Sequence, residues 1–335
     1  MRLRRADLGS PGIRRRRRGR GFGYLTPDGE PLEDAEVRER IDGLAIPPAW
    51  RRVWISPEDN AHIQAVGVDD AGRRQYLYHA EWRQARDEEK HERVLALARR
   101  LPRLREAVQE DLDGRGLSRD RVLAGALRMI DLGVFRTGGE DYADENGTHG
   151  VATLLCEHVE VSEGCLVCDY PAKGGIQRKV RLRDDGLVRL VRSLRRGRGG
   201  DVRLLAYRDG RDWQEVKADD INERLKELVG DDFTAKDLRT WNATVLAASA
   251  FADTEKPSSE RGLKRAEKAV MTEVAEGLGN TPAVARRSYV DPRVITAYGQ
   301  DRTIGKAMRR AGKVSDPDEA RKIVERAVVR LLGGS

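Results

Sequence analysis

The sequence has few cysteines and no long hydrophobic run. Among its 335 residues there are three cysteines, and no stretch of about 18 apolar residues occurs. So few cysteines exclude a dense disulfide framework and indicate a reducing compartment. The missing apolar run argues against a membrane-spanning helix, and the arginine-rich N-terminal stretch lacks the apolar segment of a secretory signal. We therefore expect a cytoplasmic protein that does not enter membranes.

Aromatic residues are also scarce, at 5%, whereas charged residues make up 36% and the net charge is +7. The positive charge is concentrated in two segments. Residues 1–24 carry nine arginines against one aspartate, and residues 171–208 carry twelve lysines and arginines against three aspartates. Two such segments are typical of a protein that binds a polyanion. A disordered basic tail plus a solvated helix face is the alternative that charge alone leaves open.

The patterns along the chain predict an α+β protein with two domains, since 335 residues are too many for one small core. Residues 1–82 contain strand-like runs separated by turn sequences, including a PDG turn that predicts a hairpin, and should form a small sheet-rich N-terminal domain. Residues 83–335 are mostly helical by period and should form a larger domain, with Pro102 beginning a new helix. Within it, residues 151–183 alternate and predict a small three-stranded antiparallel sheet.

Three basic residues stand at positions suited to phosphate chemistry. Arg136 follows an apolar helix and precedes two glycines, where a guanidinium can bind a phosphate with two hydrogen bonds. Lys173 lies in the tight turn of YPAKGGIQ, from which a mobile ammonium could reach a site and release a proton. Arg239 lies in the helical KDLRTW, one turn after Lys236. Each residue alone is also compatible with an ordinary solvated or salt-bridged side chain.

One tyrosine lies in an unusually basic stretch, GNTPAVARRSYVDPR. Tyr289 follows Arg287 and Arg286 by two and three positions. Nearby positive charge favours the phenolate, and a phenolate is a nucleophile. The stretch therefore predicts a tyrosine that attacks an electrophile held by basic groups.

Taken in order, these residues resemble the type IB DNA topoisomerases, most closely their compact poxvirus-like bacterial branch. The resemblance rests on Arg136, Lys173, Arg239 within KDLRTW, and Tyr289 within SYVDPR. It extends over nearly the whole chain, because IPPAWRRVWISP, HIQAVGVDDAGRRQYLYH and RTGGEDYADENGTHG are similar to family blocks in the same order. It implies relaxation of supercoiled duplex DNA through transient single-strand cleavage and religation, without ATP, metal or another cofactor.

The resemblance also implies a role for each matched residue. Tyr289 corresponds to the nucleophile that becomes linked to the 3′ phosphate, and Arg136 and Arg239 to the arginines that bind the non-bridging oxygens. Lys173 corresponds to the general acid for the 5′ oxygen. Asn280 stands where most members carry histidine; its amide can donate a hydrogen bond but cannot act as an acid or base. An ordinary helix cap before Thr281 is the alternative for Asn280.

The partner that the resemblance implies is double-stranded DNA, clamped between the two domains of a monomer and associated with the nucleoid. The residues expected to contact it are Gln75, Tyr76, Tyr78, Tyr142 and Lys236. Tyrosine hydroxyls and glutamine amides suit contacts with phosphates and base edges. For residues 75–79, a plain strand with aromatic packing is the alternative.

Other interpretations of the same residues are less favoured. A zinc site formed by Cys156, His158, Cys165 and Cys168 is disfavoured, because strand positions three apart point to opposite faces. Cys156 and Cys168 are instead expected to be half-buried strand residues. A tyrosine recombinase-like DNA strand transferase would use the same chemistry, but its second arginine usually follows a histidine by three positions, where this chain has Lys236. A basic protein that only coats DNA is the non-catalytic alternative.

Overall fold

The computed structural model describes residues 2–19, 21–140, 143 and 147–333. The chain divides into two compact units, one up to Lys90 and one from His91 onward. Helix α2, Ala80–Asp113, crosses this division, so one continuous helix joins the two units.

Unit 1, the part up to Lys90, is built on one antiparallel sheet. Its strand order is β2-β1-β3-β4-β5. The strands are β1 Ile13–Arg18, β2 Gly21–Leu25, β3 Arg51–Ile55, β4 Ile63–Val68 and β5 Arg74–Tyr78. Helix α1, Ala35–Gly43, is capped by Asp34 and covers one face of the sheet, where its Ile41 packs with Ile13, Ile55 and Ala65.

The arginine run of the N-terminal segment forms β1, an inner strand of this sheet. The strand GFGYL, expected to form a hairpin across the PDG turn, pairs mainly with β1. Across the turn it forms a single bridge between Leu25 and Pro31, with backbone hydrogen bonds on either side. Five consecutive arginines can form a strand here because they follow a buried residue, Ile13. It is buried opposite Ile55 and anchors the run, after which exposed arginine side chains can line the solvent face.

Helix α2 corrects the expectation that a new helix begins at Pro102. Proline removes one hydrogen bond of a helix and usually kinks or ends it. Here the helix continues for 34 residues with Pro102 inside it. Leu97 and Leu101 before the proline, and Leu104 after it, are buried in one core. This burial on both sides holds the helix together across the proline, which lies on the solvent side.

Unit 2, from His91 onward, is mostly helical. Besides α2 its helices are α3 Arg119–Gly133, α4 Asp185–Arg195, α5 Ala218–Val229, α6 Ala235–Asp253, α7 Glu260–Leu278, α8 Pro282–Ser288, α9 Pro292–Gly299, α10 Gly305–Ala311 and α11 Pro317–Gly333. Helices α3 and α6 are buried over most of their length and form the centre of the unit. No helix within the described residues is both long and apolar enough to cross a bilayer.

The predicted small sheet of unit 2 is present but shorter than expected. Strands β6 Val159–Ser162, β7 Cys165–Ala172 and β8 Ile176–Leu182 pair in that order, and a two-stranded hairpin follows, β9 Ala206–Asp209 with β10 Asp212–Glu215. In place of a strand, 3-10 turns form at Val151–Thr153 and Cys156–His158. Cys156 therefore lies in a turn, and both it and Cys168 are fully buried, not half-buried.

Candidate active site

Arg136 lies in the loop that leaves α3. Val134 closes the helix in the left-handed region, with φ at 52°. The next residue, Phe135, is buried and stacks on Tyr170 with ring centroids 5.7 Å apart. This anchored turn leaves Arg136 half-buried, where it donates hydrogen bonds to Oδ1 of Asn280 and to the carbonyl of Gly279, 3.4 Å away.

A second arginine, Arg178 of β8, ties together the ends of two helices. It is buried and donates to the carbonyl oxygens of Gly133, at 2.8 Å, and Gly277, at 2.7 Å. These carbonyls end α3 and α7, where a positive charge also meets the negative ends of both helix dipoles. Because Arg136 follows α3 and Asn280 follows α7, Arg178 brings the two residues together. Sequence reasoning missed it, since it stands among other basic residues in QRKVRLR.

Arg239 lies in the buried part of α6 with only 2% of its surface exposed. Its terminal nitrogens donate to the carbonyls of Val134 and Leu278, again the ends of α3 and α7. Its guanidinium carbon is 5.2 Å from the centre of the Tyr289 ring. Burial and the nearby charge of Arg136 lower the pKa of Arg239, yet a guanidinium remains charged at neutral pH.

Tyr289 ends α8, and its backbone is held from α6. Its carbonyl accepts a hydrogen bond of 3.3 Å from Oγ1 of Thr244, which also accepts one from the N–H of Asp291. Burial alone raises the pKa of the half-buried phenol. The charges of Arg239 and Arg136 outweigh burial and lower the pKa of Tyr289 below its ordinary value. The phenolate is thus favoured, as the sequence predicted, but by residues remote in the chain.

Asn280 is joined to Arg136 and is not a helix cap. Its backbone N–H donates to Ala275, and Gly279 before it adopts φ of 60°, which ends α7 in the left-handed region. The cap of α8 is Thr281, whose side chain accepts from Val284. Oδ1 of Asn280 binds Arg136, whereas Nδ2 is buried and has no partner among the described residues. The two N–H donors of this amide nitrogen are therefore unused beside Arg136 among the described residues.

A cavity of about 420 Å³ collects the predicted catalytic groups. Its lining includes four basic side chains and the phenol, namely Arg136, Lys173, Lys236, Arg239 and Tyr289. Lys173 is exposed at the turn between β7 and β8, where Gly174 and Gly175 both have positive φ. Asn280 reaches the site through Arg136. Groups that are far apart in the chain thus meet at one opening.

The cavity also contains residues to which sequence reasoning assigned no role. Thr148 and His149 line it beside Gly138 and Gly139. His149 Nδ1 lies 2.7 Å from the carbonyl oxygen of Thr153. In the neutral tautomer that donates from Nδ1, Nε2 carries no proton and can accept a hydrogen bond. In the sequence, both residues lie at the end of RTGGEDYADENGTHG, one of the stretches that carry the family resemblance.

Known protein families match this chain over both of its units. A model of the eukaryotic DNA topoisomerase I catalytic core matches residues 79–311, and a model of the bacterial DNA topoisomerase IB N-terminal domain matches residues 21–69. The first match alone covers more than half of the chain. The chain belongs to the type IB DNA topoisomerases.

Individual relatives agree with this membership. The DNA topoisomerase 1B of Acanthamoeba polyphaga mimivirus is 31% identical over 295 residues, which cover 86% of this chain and 87% of the relative. The DNA topoisomerase 1B of vaccinia virus (strain Copenhagen) is 23% identical over 80% of this chain and 81% of its own. The DNA topoisomerase 1 beta of Arabidopsis thaliana is 29% identical over 48% of this chain, but only 16% of its own length. The protein is therefore a type IB DNA topoisomerase, an isomerase that acts on DNA.

The family's DNA-contacting positions predicted in unit 1 separate onto two faces of the sheet. Tyr76 and Tyr78 are 36% and 39% exposed and stack on one another, with ring centroids 6.1 Å apart. Gln75 alternates with them, is less exposed, and donates to Asp69 at 2.9 Å. Tyr142 lies outside the described residues. Lys236 is in unit 2, in the cavity lining.

Three arginines of β1 share the face of the two tyrosines. The register aligns Arg14 with Trp54, Trp54 with Val66, and Val66 with Tyr76, so one row crosses the sheet on this face. Alternation places Arg16 and Arg18 on the same side as Arg14, and all three are exposed. The opposite face carries Ile13 and the core under α1. This topoisomerase therefore presents an arginine and tyrosine surface on one side of its first unit.

Within the described ranges, no group of three or more histidine, cysteine, aspartate or glutamate side chains is arranged to hold a metal ion. Cys156, Cys165 and Cys168 are free thiols and all three are buried.

Proposed function

We propose that Tyr289 is the nucleophile of this topoisomerase. Its phenolate oxygen forms a bond to the scissile phosphorus, and the bond from phosphorus to the 5′ oxygen breaks. The products are a 3′-phosphotyrosyl linkage and a free 5′ hydroxyl. The reverse reaction reseals the strand, so the phosphodiester energy is conserved and ATP is not needed. The cavity that gathers the phenol with four basic side chains is the observation that carries this proposal.

The basic residues divide the remaining work. Arg136 and Arg239 stabilise the charge that develops on the non-bridging oxygens, where preorganised donors act most strongly. Lys173 gives its proton to the departing 5′ oxygen, a step that contributes about 10²–10⁴-fold in comparable reactions. With this positive charge supplied by side chains, the reaction proceeds without a metal or another cofactor.

Asn280 has a supporting role in this assignment. Its Oδ1 fixes the guanidinium of Arg136. Its Nδ2, which has no partner in the part of the chain that the structure describes, can donate to a non-bridging oxygen of the phosphate. Arg239 is bound to two backbone carbonyls. A guanidinium has five N–H donors, so Arg239 keeps donors for a non-bridging oxygen while these two bonds hold it in place.

We further propose that the protein acts as a monomer that clamps duplex DNA, within the nucleoid of the cytoplasm. The exposed face with Arg14, Arg16 and Tyr76 supports a DNA contact by unit 1, because arginine and tyrosine are the groups that bind phosphates and base edges. Lys236 and Tyr142 are proposed as DNA contacts of unit 2, and Gln75 as a further contact from unit 1.

The test is relaxation of a supercoiled plasmid in EDTA without ATP. We expect a ladder of relaxed topoisomers and, after denaturant quenching, a DNA adduct that peptide mapping assigns to Tyr289. A shift in mobility without relaxation would indicate a coating protein. Strand exchange restricted to particular sites would indicate a recombinase. An adduct on another residue would contradict the assignment of Tyr289.

A further inference from the structure

Three consecutive residues of α2 contact the segments on which two central groups of the site lie. His91, Glu92 and Arg93 are the first residues of unit 2, and their side chains occupy one turn of the helix. None of them lines the cavity. The partner of Arg93 lies shortly before Arg239 in the chain, and the residues near His91 and Glu92 lie shortly after Tyr289.

Arg93 holds the beginning of the helix that carries Arg239. Its Nε and Nη2 donate to Oδ1 of Asp237 at 3.3 and 2.9 Å. Asp237 is two residues before Arg239 and next to Lys236. Its other oxygen, Oδ2, accepts from the N–H and hydroxyl of Thr234, which caps α6. The first turn of α6 is therefore tied to α2 through a buried carboxylate.

His91 lies beside the segment that follows Tyr289, and Glu92 forms an ion pair with it. His91 Nδ1 is 3.7 Å from Oδ2 of Asp291, and Glu92 accepts from Nη1 of Arg293 at 2.5 Å. Asp291 is two residues after Tyr289 and accepts hydrogen bonds from both the backbone N–H and the side chain of Arg293, in the first turn of α9. This segment therefore meets the same turn of α2 as the start of α6.

We propose that His91, Glu92 and Arg93 are positioning residues that set Tyr289 and Arg239 in register with one another. The proposal rests on the roles proposed above for these two groups. A single helical turn is a rigid reference, so two segments attached to it keep a constant separation. In-line attack needs such alignment, and a displacement of about 1 Å can cost about 10²-fold in rate.

The two attachments differ in expected strength. The side chain of Asp237 is 3% exposed and that of Arg93 is 40% exposed, whereas Glu92 and Arg293 are 64% and 35% exposed. Removing the partner of a buried carboxylate is strongly destabilising, whereas an exposed ion pair contributes little to the free energy of unfolding. We therefore expect Arg93 to dominate and Glu92 to contribute less.

The experiment compares Arg93→Met with Arg119→Met in the full chain. Arg119 is a matched control, because it forms a half-buried pair with Asp220 at 3.2 Å between α3 and α5 and does not line the cavity. We measure single-turnover cleavage at saturating enzyme, the DNA dissociation constant and the melting temperature. Arg93→Met should cleave about 10–10²-fold more slowly with DNA affinity nearly unchanged, and Arg119→Met should cleave at the wild-type rate.

Two further measurements separate positioning from other roles. Arg93→Lys keeps the charge and should recover most of the rate. A substrate with a bridging 5′ sulfur, which needs little proton donation, should not rescue Arg93→Met. A wild-type rate for Arg93→Met, or a rate loss that DNA affinity fully accounts for, would overturn the proposal. Cleavage by Tyr289→Phe would instead overturn the nucleophile assignment, so the two failures are distinguishable.

Discussion

Arginine occupies two contrasting environments in this protein. In unit 1, Arg14, Arg16 and Arg18 are exposed in alternate positions of β1. In unit 2, Arg178 and Arg239 are 8% and 2% exposed, and their guanidinium groups bind the carbonyls that end α3 and α7. The same side chain therefore forms an open charged surface in one unit and a fixed part of the interior in the other.

The difference separates binding from chemistry. Exposed charges act through a solvent that screens them within about 10 Å at moderate salt, so their contributions are individually small and salt-dependent. Buried charges held by several hydrogen bonds are preorganised, and preorganised charge stabilises a transition state without further rearrangement of the protein. Changes in the cavity should therefore reduce the rate of cleavage, whereas changes on β1 should reduce affinity.

The largest expected effect is that of Tyr289→Phe. Phenylalanine keeps the ring beside Arg239 but removes the attacking oxygen, so we expect no covalent adduct, no relaxation and nearly unchanged DNA binding. Tyr298→Phe is the matched control. Its hydroxyl donates to the carbonyl of Glu255 at 3.1 Å and does not line the cavity. That variant should lose about 1 kcal/mol of stability and keep its cleavage rate. Relaxation of DNA by Tyr289→Phe would contradict the assignment of the nucleophile, and with it the separation of catalytic residues in the cavity from binding residues on β1.

Lys173→Ala should have the next largest effect, and one that depends on the leaving group. We expect cleavage of ordinary DNA to slow by about 10²-fold or more. A substrate with a bridging 5′ sulfur leaves as a thiolate and should be cleaved at nearly the wild-type rate. Lys179→Ala, on the exposed side of β8, is the control and should behave as wild type on both substrates.

Arg136→Ala sharpens the same experiment. It should be slow on both substrates, since its proposed work is on the non-bridging oxygens. Equal rescue of Lys173→Ala and Arg136→Ala by sulfur would mean that the two roles are misassigned.

A smaller effect is expected on the pH dependence of cleavage. The charge of Lys236 is among those that lower the pKa of Tyr289. Lys236→Gln should therefore raise this pKa, and less phenolate is then present at a given pH. In a pH–rate profile, the rise in cleavage rate should move to higher pH. A profile that stays in place, or moves to lower pH, would show that the charge of Lys236 does not lower the pKa of Tyr289.

The smallest effect per substituted residue is expected for the arginines of β1, and it is an effect on DNA affinity. Replacing Arg14, Arg16 and Arg18 by glutamine should lower DNA affinity and make the log–log salt slope shallower by about 0.9 for each phosphate that is no longer neutralised. Single-turnover cleavage at saturating enzyme should change little. Arg38→Gln is the control, since Arg38 is exposed on α1, which covers the opposite face of the sheet. An unchanged slope in the triple variant would exclude this face as a DNA contact.

Much of the fold could be predicted from local patterns. Alternation marked the strands of unit 1 and β6–β8 of unit 2, and the 3.6-residue period marked the long helices. The errors came where packing overrides local preference. Pro102 lies inside α2 because the leucines on both sides of it are buried together. Residues 151–158 contain two 3-10 turns instead of a strand, and their Val151, Leu154 and Cys156 are all buried in the core of unit 2.

For the site, the sequence by itself determined which residue types are present and in what order: Arg136, Lys173, Arg239 and Tyr289 were predicted as site residues without a structure. The arginines next to Tyr289 in the chain are not the main charges that lower its pKa. Arg286, for example, pairs with Glu267 on α7.

Only the tertiary structure decided which charges act on the phenol. Electrostatic interaction depends on distance in space and on burial, not on separation along the chain. Arg136 and Arg239 come close to Tyr289 because the ends of α3 and α7 meet around Arg178. A local pattern contains no information about which arginine will be buried at such a junction.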